Sequence, residues 1–181
     1  MKDVEEITVK DAMTHGVICV DINDTVQEAA EVMKKNDISS VIVTKKGDGV
    51  GIITERDIIT RIVADNKNPK KVPAGEIMAS PLITIKPTAA IDDAARIMHN
   101  KDIRRLIVTD KDRIIGILSE FDIVKIEPTL HLLIREQADW HLHEAHAALK
   151  GQVAGICENC ENYSDSLTSA EGRMLCDECA P

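Results

Sequence analysis

The sequence predicts an α/β (α+β) chain: two βαββα units packed as a pair, a linker helix, and a small ribbon with too few apolar residues for its own core. Three observations predict this. An internal repeat runs without a gap at a constant offset of 65 residues. Each copy sets a stretch of helical period among β-branched runs. The last 31 residues hold two Cys-x-x-Cys pairs.

The repeat is dense. Met13 pairs with Met78, Ala29-Ala30 with Ala94-Ala95, Met33 with Met98 and Asp37-Ile38 with Asp102-Ile103. Val43-Thr44 then pairs with Val108-Thr109, Gly51-Ile52 with Gly116-Ile117, Glu55 with Glu120 and Asp57-Ile58 with Asp122-Ile123. A match of this density marks a duplication.

Copy one opens with a short extended segment, Val17 to Ile22. Val26, Ala29, Ala30 and Met33 then fall on one helix face, as do Ile91, Ala94, Ala95 and Met98 in copy two. Asp24 and Thr88 are the expected N-caps. Ser40 to Thr44 and Arg105 to Thr109 read as strands. Each is followed by a polar turn and a second strand, Val50 to Ile53 or Ile114 to Leu118, which makes a hairpin. Closing helices start near Thr54 and Ser119, and the polar stretch Ala64 to Pro73 joins the copies. The units are expected over 8–66 and 73–126, the linker helix over 127–150 and the cysteine domain over 151–181. One unit alone leaves its sheet face exposed, so the two should pair and place a ligand cleft in the seam.

Hydrophobic residues are 44% of the chain, enough for a core, and that core must be aliphatic because Phe121, Trp140 and Tyr163 are the three aromatics. No apolar run is long enough to span a bilayer. Met1 to Met13 is acidic and lacks the apolar stretch of a secretion signal, so the expected location is cytoplasmic. The net charge of −9 is uneven: 21 acids and 19 bases over 1–125, but six acids and one base, Arg173, over 151–181. That acidic tail is a poor match for a phosphate backbone, and nucleic acid is not an expected partner.

The junctions Gly51-Ile-Ile-Thr54-Glu-Arg-Asp57 and Gly116-Ile-Leu-Ser119-Glu-Phe-Asp122 share the form Gly-apolar-apolar-Thr/Ser-Glu-x-Asp. A hydroxyl followed three residues later by an acid is a capping box. The same geometry offers an anion the N–H groups of a helix start, and an Asp one turn in can accept from both hydroxyls of a ribose. The two readings are compatible.

With these motifs in view, residues 8 to 125 resemble a tandem pair of CBS domains, the regulatory modules named after cystathionine β-synthase. The resemblance implies a two-fold module that binds adenosine-containing ligands such as AMP, ADP, ATP or S-adenosylmethionine, and commonly a homodimer. It assigns the ribose to Asp57 and Asp122, and ribose or phosphate contacts to Thr54 and Ser119. Arg104 and Arg105 stand where some members place phosphate-binding side chains. Their counterparts are Ser39 and Ser40, so the two clefts should differ, with the arginine side preferring a phosphorylated ligand. Arg56 and Lys101 are further candidates. No nucleophile–base pair recurs at either junction and no Gly-rich phosphate loop is present, so the chain is not expected to be an enzyme.

In the linker, His131, His141, His143 and His146 lie on a helical pattern. His143 and His146 share a face, but no nearby acid completes a ligand set, and a solvated or partner-facing helix is expected. Trp140 is expected to anchor that helix. In the tail, Cys157-x-x-Cys160 and Cys176-x-x-Cys179 are separated by fifteen residues. Each pair forms a knuckle that points two thiolates at one ion, and the ion supplies the folding energy the missing core cannot. The tail resembles a zinc ribbon or a rubredoxin-like knuckle pair, so one zinc or iron per chain is expected. Glu161 and Ala180 follow the knuckles where a rubredoxin has glycine, which favours a structural or docking role. Cys19 is expected as a small buried hydrophobe. The expected function is a regulatory sensor of an adenine nucleotide with a metal-bound domain that docks a protein partner. The alternatives are a nucleic-acid regulator using the ribbon and a redox carrier with iron in the tail.

Overall fold

The computed structural model describes residues 7–126, 153–170 and 173–180. They fall into two compact units, one before and one after residue 132. The expected helix over 127–150, with its histidines and Trp140, lies outside the described residues.

In chain order the first unit runs α1 (Val9–Ala12), β1 (Thr14–His15), β2 (Cys19–Asp21), α2 (Val26–Asn36), β3 (Ser40–Lys45), β4 (Asp48–Thr54) and α3 (Glu55–Ile58), which continues as a π-helix over Ile59–Val63. Then come α4 (Ala74–Ile77), β5 (Thr84–Ile85), α5 (Ile91–Lys101), β6 (Arg105–Asp110), β7 (Arg113–Ser119) and α6 (Glu120–Ile126). The mixed α/β pair expected from the repeat is therefore present, with β2-α2-β3-β4-α3 answered by β5-α5-β6-β7-α6.

Local chemistry explains the elements. Val26, Ala29 and Met33 of α2, and Ile91, Ala94, Ala95 and Met98 of α5, are buried against their sheets. Both helices stop at an Asp in the left-handed region, Asp37 (φ 52°) and Asp102 (φ 50°). The hairpins turn on two residues, Lys46-Gly47 and Lys111-Asp112, all with positive φ. That is the turn whose twist matches paired strands.

The caps differ from expectation. Thr25, not Asp24, caps α2, in a capping box with Glu28. Asp24 Oδ2 instead accepts from the Asp21 amide at 2.7 Å. The cap position of α5 is Ala90, which has no capping side chain. Its first amide, Ile91, donates to the Ile7 carbonyl at 3.0 Å, so a distant segment supplies what a side chain would.

That segment is part of an exchange. β1 pairs with β7 of the other repeat, Thr14 opposite Ile117 and His15 opposite Gly116. Reciprocally, Ala79 bridges Ile52. Val9 and Met13 are buried in the core with Leu106, Val108, Leu118 and Ile123 of the second repeat. Ala74 and Ile77 are buried in the core with Val41, Val43, Ile53 and Ile62 of the first. Each repeat thus closes its core with the segment that precedes the other.

The remaining faces meet in the seam. Ile42 and Ile107 are buried but belong to neither core, as strand alternation requires for the residues between Val41 and Val43 and between Leu106 and Val108. At the same seam, a side chain at Gly49 would strike Ile114 Cδ1 at 2.4 Å. Cys19 is exposed, contrary to expectation, because Val20 takes the inward position of that short strand.

The second unit is an antiparallel ribbon in the order β8 (Val153–Ile156), β9 (Tyr163–Ala170), β10 (Arg173–Cys176). Its buried core is Cys157, Leu167, Leu175 and Cys176. Among the described residues no helix is long and apolar enough to cross a membrane.

Candidate ligand junctions and a four-cysteine metal centre

β4 and β7 deliver the two junctions. Each strand ends at the hydroxyl residue, and the helix begins with the Glu that follows. Asp57 Oδ2 accepts from the Thr54 amide (2.9 Å) and hydroxyl (2.6 Å). Asp122 Oδ2 accepts from the Ser119 amide (2.9 Å) and hydroxyl (2.5 Å). Both junctions are therefore capping boxes, and this takes one oxygen of each carboxylate. All four side chains are half-buried.

The glycine of the motif has a role the residues alone did not reveal. A Cβ at Gly116 would lie 2.4 Å from the Thr14 carbonyl oxygen, and one at Gly51 would lie 2.6 Å from Met78 Sδ and 2.9 Å from the Ala79 carbonyl oxygen. The glycines make room for the exchanged backbone.

Arg105 stands opposite Ser119 in the β6–β7 register, as Ser40 stands opposite Thr54. Its guanidinium reaches across the seam and donates through Nη2 to Ser39 Oγ at 2.5 Å. Arg104 is exposed and sits 3.4 Å from Glu120 Oε1. So the structure brings Ser39, Arg104, Arg105, Ser119 and Glu120 to one end of the sheets, while Arg56 and Lys101 are exposed to solvent. An open cleft of about 490 Å³ lies in the first repeat between α2 and α3. Met33, Ser39, Glu55 and Ile59 are among its lining residues, whereas Thr54 and Asp57 are not.

Sequence reading missed Arg61. Its Nε lies 3.7 Å from Asp57 Oδ1, and its Nη1 donates to the Ile77 carbonyl at 3.1 Å. The signal was available, since Arg61 stands one helical turn after Asp57 and the residue 65 positions on is Ile126.

In the ribbon, the knuckle before β9 and the one after β10 bring four sulfurs together. The Sγ atoms of Cys157, Cys160, Cys176 and Cys179 all lie within 4.8 Å of one another. A tetrahedral ion with metal–sulfur bonds of about 2.3 Å requires sulfur–sulfur edges of about 3.8 Å. Cys160 Sγ and Cys176 Sγ stand 3.8 Å apart. The donor set therefore fits one thiolate-loving ion.

The knuckles are held by amides. Glu161 donates to the Cys157 carbonyl (2.9 Å) and Ala180 to the Cys176 carbonyl (2.8 Å). Glu161 adopts φ 59°, the left-handed conformation for which glycine is usual. Amides of Cys176 and Cys160 hold the Cys157 thiol down at about 6. At Cys160 the Asn162 amide acts in the same direction, but the Cys157 thiol and burial outweigh it and push that group up to about 11. Burial, then the Cys179 thiol, raises Cys176. Neighbouring thiols thus oppose ionisation at Cys160 and Cys176, and a divalent cation removes that conflict.

The comparisons with known proteins agree with this architecture. The family model described as CBS domain matches residues 9–64 and 74–128. An uncharacterised protein of Methanopyrus kandleri is 35% identical over 180 residues, covering 97% of this chain and 92% of its own. A crystal structure of Hypoxic Response Protein I with two coordinated zinc ions superposes with a TM-score of 0.59 at 30% identity, over 66% of this chain and 98% of that one. A conserved CBS domain protein of Thermoplasma acidophilum superposes with a TM-score of 0.66 over 93% and 92% of the two chains, and at 21% identity this is a likeness of fold. The chain belongs to the CBS domain family, as a tandem pair followed by a ribbon whose four cysteines can hold a metal ion.

Proposed function

We propose that the chain is a regulatory sensor and not an enzyme. An adenine nucleotide, or another adenosine-containing ligand, binds where the repeats meet, and the metal-holding ribbon docks a partner protein. The observation that carries this reading is the duplicated hydroxyl–Asp pair, Thr54–Asp57 and Ser119–Asp122, in a chain of this family. With Oδ2 engaged in the cap, Oδ1 is the oxygen that accepts from ribose. Arg104 and Arg105 are the candidate phosphate contacts, which requires Arg105 to release Ser39 and Arg104 to release Glu120.

Zinc or iron fills the cysteine centre on this reading, and its work is structural. The ribbon's acidic surface supports a protein rather than a nucleic acid as the docked partner. Exposed Ile59, Val63 and Phe121 on the closing helices support a second copy of the chain as a further partner. An exposed thiol at Cys19 and four clustered thiols suit a reducing compartment, in keeping with the cytoplasm.

A thermal-shift series with AMP, ADP, ATP and S-adenosylmethionine tests the sensor. Ligand at about a hundred times its Kd should raise stability by about 2.7 kcal/mol. That increment should vanish in the Asp57→Asn/Asp122→Asn double variant, in which each Asn keeps an oxygen for the cap. An unchanged increment in the double variant, or none with any of the four, overturns the reading. Native mass spectrometry of the isolated protein reports subunit count and metal together. Reversible bleaching of a thiolate–iron colour on reduction would favour a redox carrier instead.

A further inference from the structure

The two junctions share a motif but not its surroundings. In both, Oδ2 of the Asp is occupied by the cap, so a ribose must use Oδ1. At Asp57 that oxygen faces the Arg61 guanidinium, with Nε 3.7 Å away. The same guanidinium is held from its other side by the Ile77 carbonyl at the end of α4, the exchanged helix. Arg61 lies in the π-helical stretch Ile59–Val63, whereas α6 continues its junction as an α-helix through Ile126. Ile126 is the counterpart of Arg61 and carries no charge. Asp122 Oδ1 has no partner among the described residues, and Arg104 and Arg105 flank that junction.

An Arg61 that is tied at two points cannot be moved by a neutral diol without loss. Ribose hydroxyls at Asp57 Oδ1 would displace a cation from the carboxylate and strip the Ile77 carbonyl of its donor. The ion pair is partly exposed and by itself weak. The hydrogen bond from the charged guanidinium is of a size that changes an affinity about tenfold or more. At Asp122 the same hydroxyls meet an acceptor with no partner among the described residues.

We infer, on the sensor reading above, that each chain binds one adenosine ligand, at the Ser119–Asp122 junction, and that Arg61 is the residue that closes the Thr54–Asp57 junction. Arg61 thereby sets how many ligands the duplicated motif can hold. The duplication supplies two candidate sites, and one side chain leaves a single receptive one.

Isothermal titration of the metal-loaded full chain with AMP, and separately with ADP, tests this. The expected stoichiometry is one per chain. Asp122→Asn should abolish binding. Arg61→Ile, which copies position 126, should raise the stoichiometry to two. If that variant folds poorly, Arg61→Gln, which drops the charge and keeps an N–H for the Ile77 carbonyl, should do the same. Two ligands on the unaltered chain overturn the inference and leave the sensor reading standing. So does binding that survives Asp122→Asn but not Asp57→Asn. Binding weakened by Arg61→Ile or Arg61→Gln would make Arg61 a ligand contact and also overturn it. No binding of any adenosine ligand to the folded chain removes the sensor reading itself, and the inference with it.

Discussion

The repeat pair and the ribbon hold together by opposite means. The pair has two aliphatic cores, each with ten or so buried side chains, and a seam of further isoleucines between them. No single contact there is indispensable, because each buried side chain contributes only about 1.5–3 kcal/mol. The ribbon's buried cluster is four residues, two of them cysteines. On the proposed reading its order comes from one ion held by the four sulfurs. Distributed burial tolerates damage gradually, whereas a metal knuckle keeps or loses its structure at once.

The sharpest way to break this contrast is to remove the ion. Chelation, or Cys176→Ser, should melt the ribbon and leave the pair intact, since structural zinc sites in small domains contribute about 10–16 kcal/mol. Amide spectra should lose dispersion for 153–180 while Val43 and Val108 stay put. Acid should act likewise, because protons compete with the metal for thiolates and release it as pH falls.

Next in size, Leu106→Ala should destabilise the pair by about 2–5 kcal/mol in denaturant titration, with metal affinity unaltered. Gly116→Ala should follow at about 1–3 kcal/mol, because the Thr14 carbonyl is backbone and must shift. Gly51→Ala should cost less, since its nearest neighbour is the flexible Met78 side chain and the Ala79 carbonyl, at 2.9 Å, intrudes less than the Thr14 carbonyl does at Gly116. The smallest effects concern the caps. Thr25→Ala should lower stability by about 1 kcal/mol, and Ala90→Ser, which gives α5 a capping residue three before Asp93, should raise it by about 0.5–1 kcal/mol. Equal melting of pair and ribbon in any of these variants would mean that the two are energetically one body.

Much of this was legible from residue order because its causes are local and repeated. The helix stripes at Val26 and Ile91, the two hairpins and the hydroxyl–Asp junctions follow from periodicity read twice at one offset. The cysteine cluster follows from spacing alone. The exchange was not legible: Thr14–His15 carries no mark that its partner lies some hundred residues on. For the same reason the steric duty of the motif glycines did not show, and Thr88 read as a cap when the Ile7 carbonyl does the work. Cys19 was misplaced because a three-residue strand has one inward position, and Val20 fills it.

The crossed segments have a consequence for how such a chain can be divided. A cut in the polar stretch 64–73, the obvious boundary by composition, yields no two free-standing halves. One fragment keeps Val9 and Met13 with no second-repeat core to fill, and the other keeps Ala74 and Ile77 with no first-repeat core. Mixed together, the fragments should re-form the pair. Alone, either closes its core only by lending its leading segment to another copy of itself. A molecule with a single copy of this unit is obliged to be a two-fold dimer, and joining two copies in one chain turns that partnership into a private one.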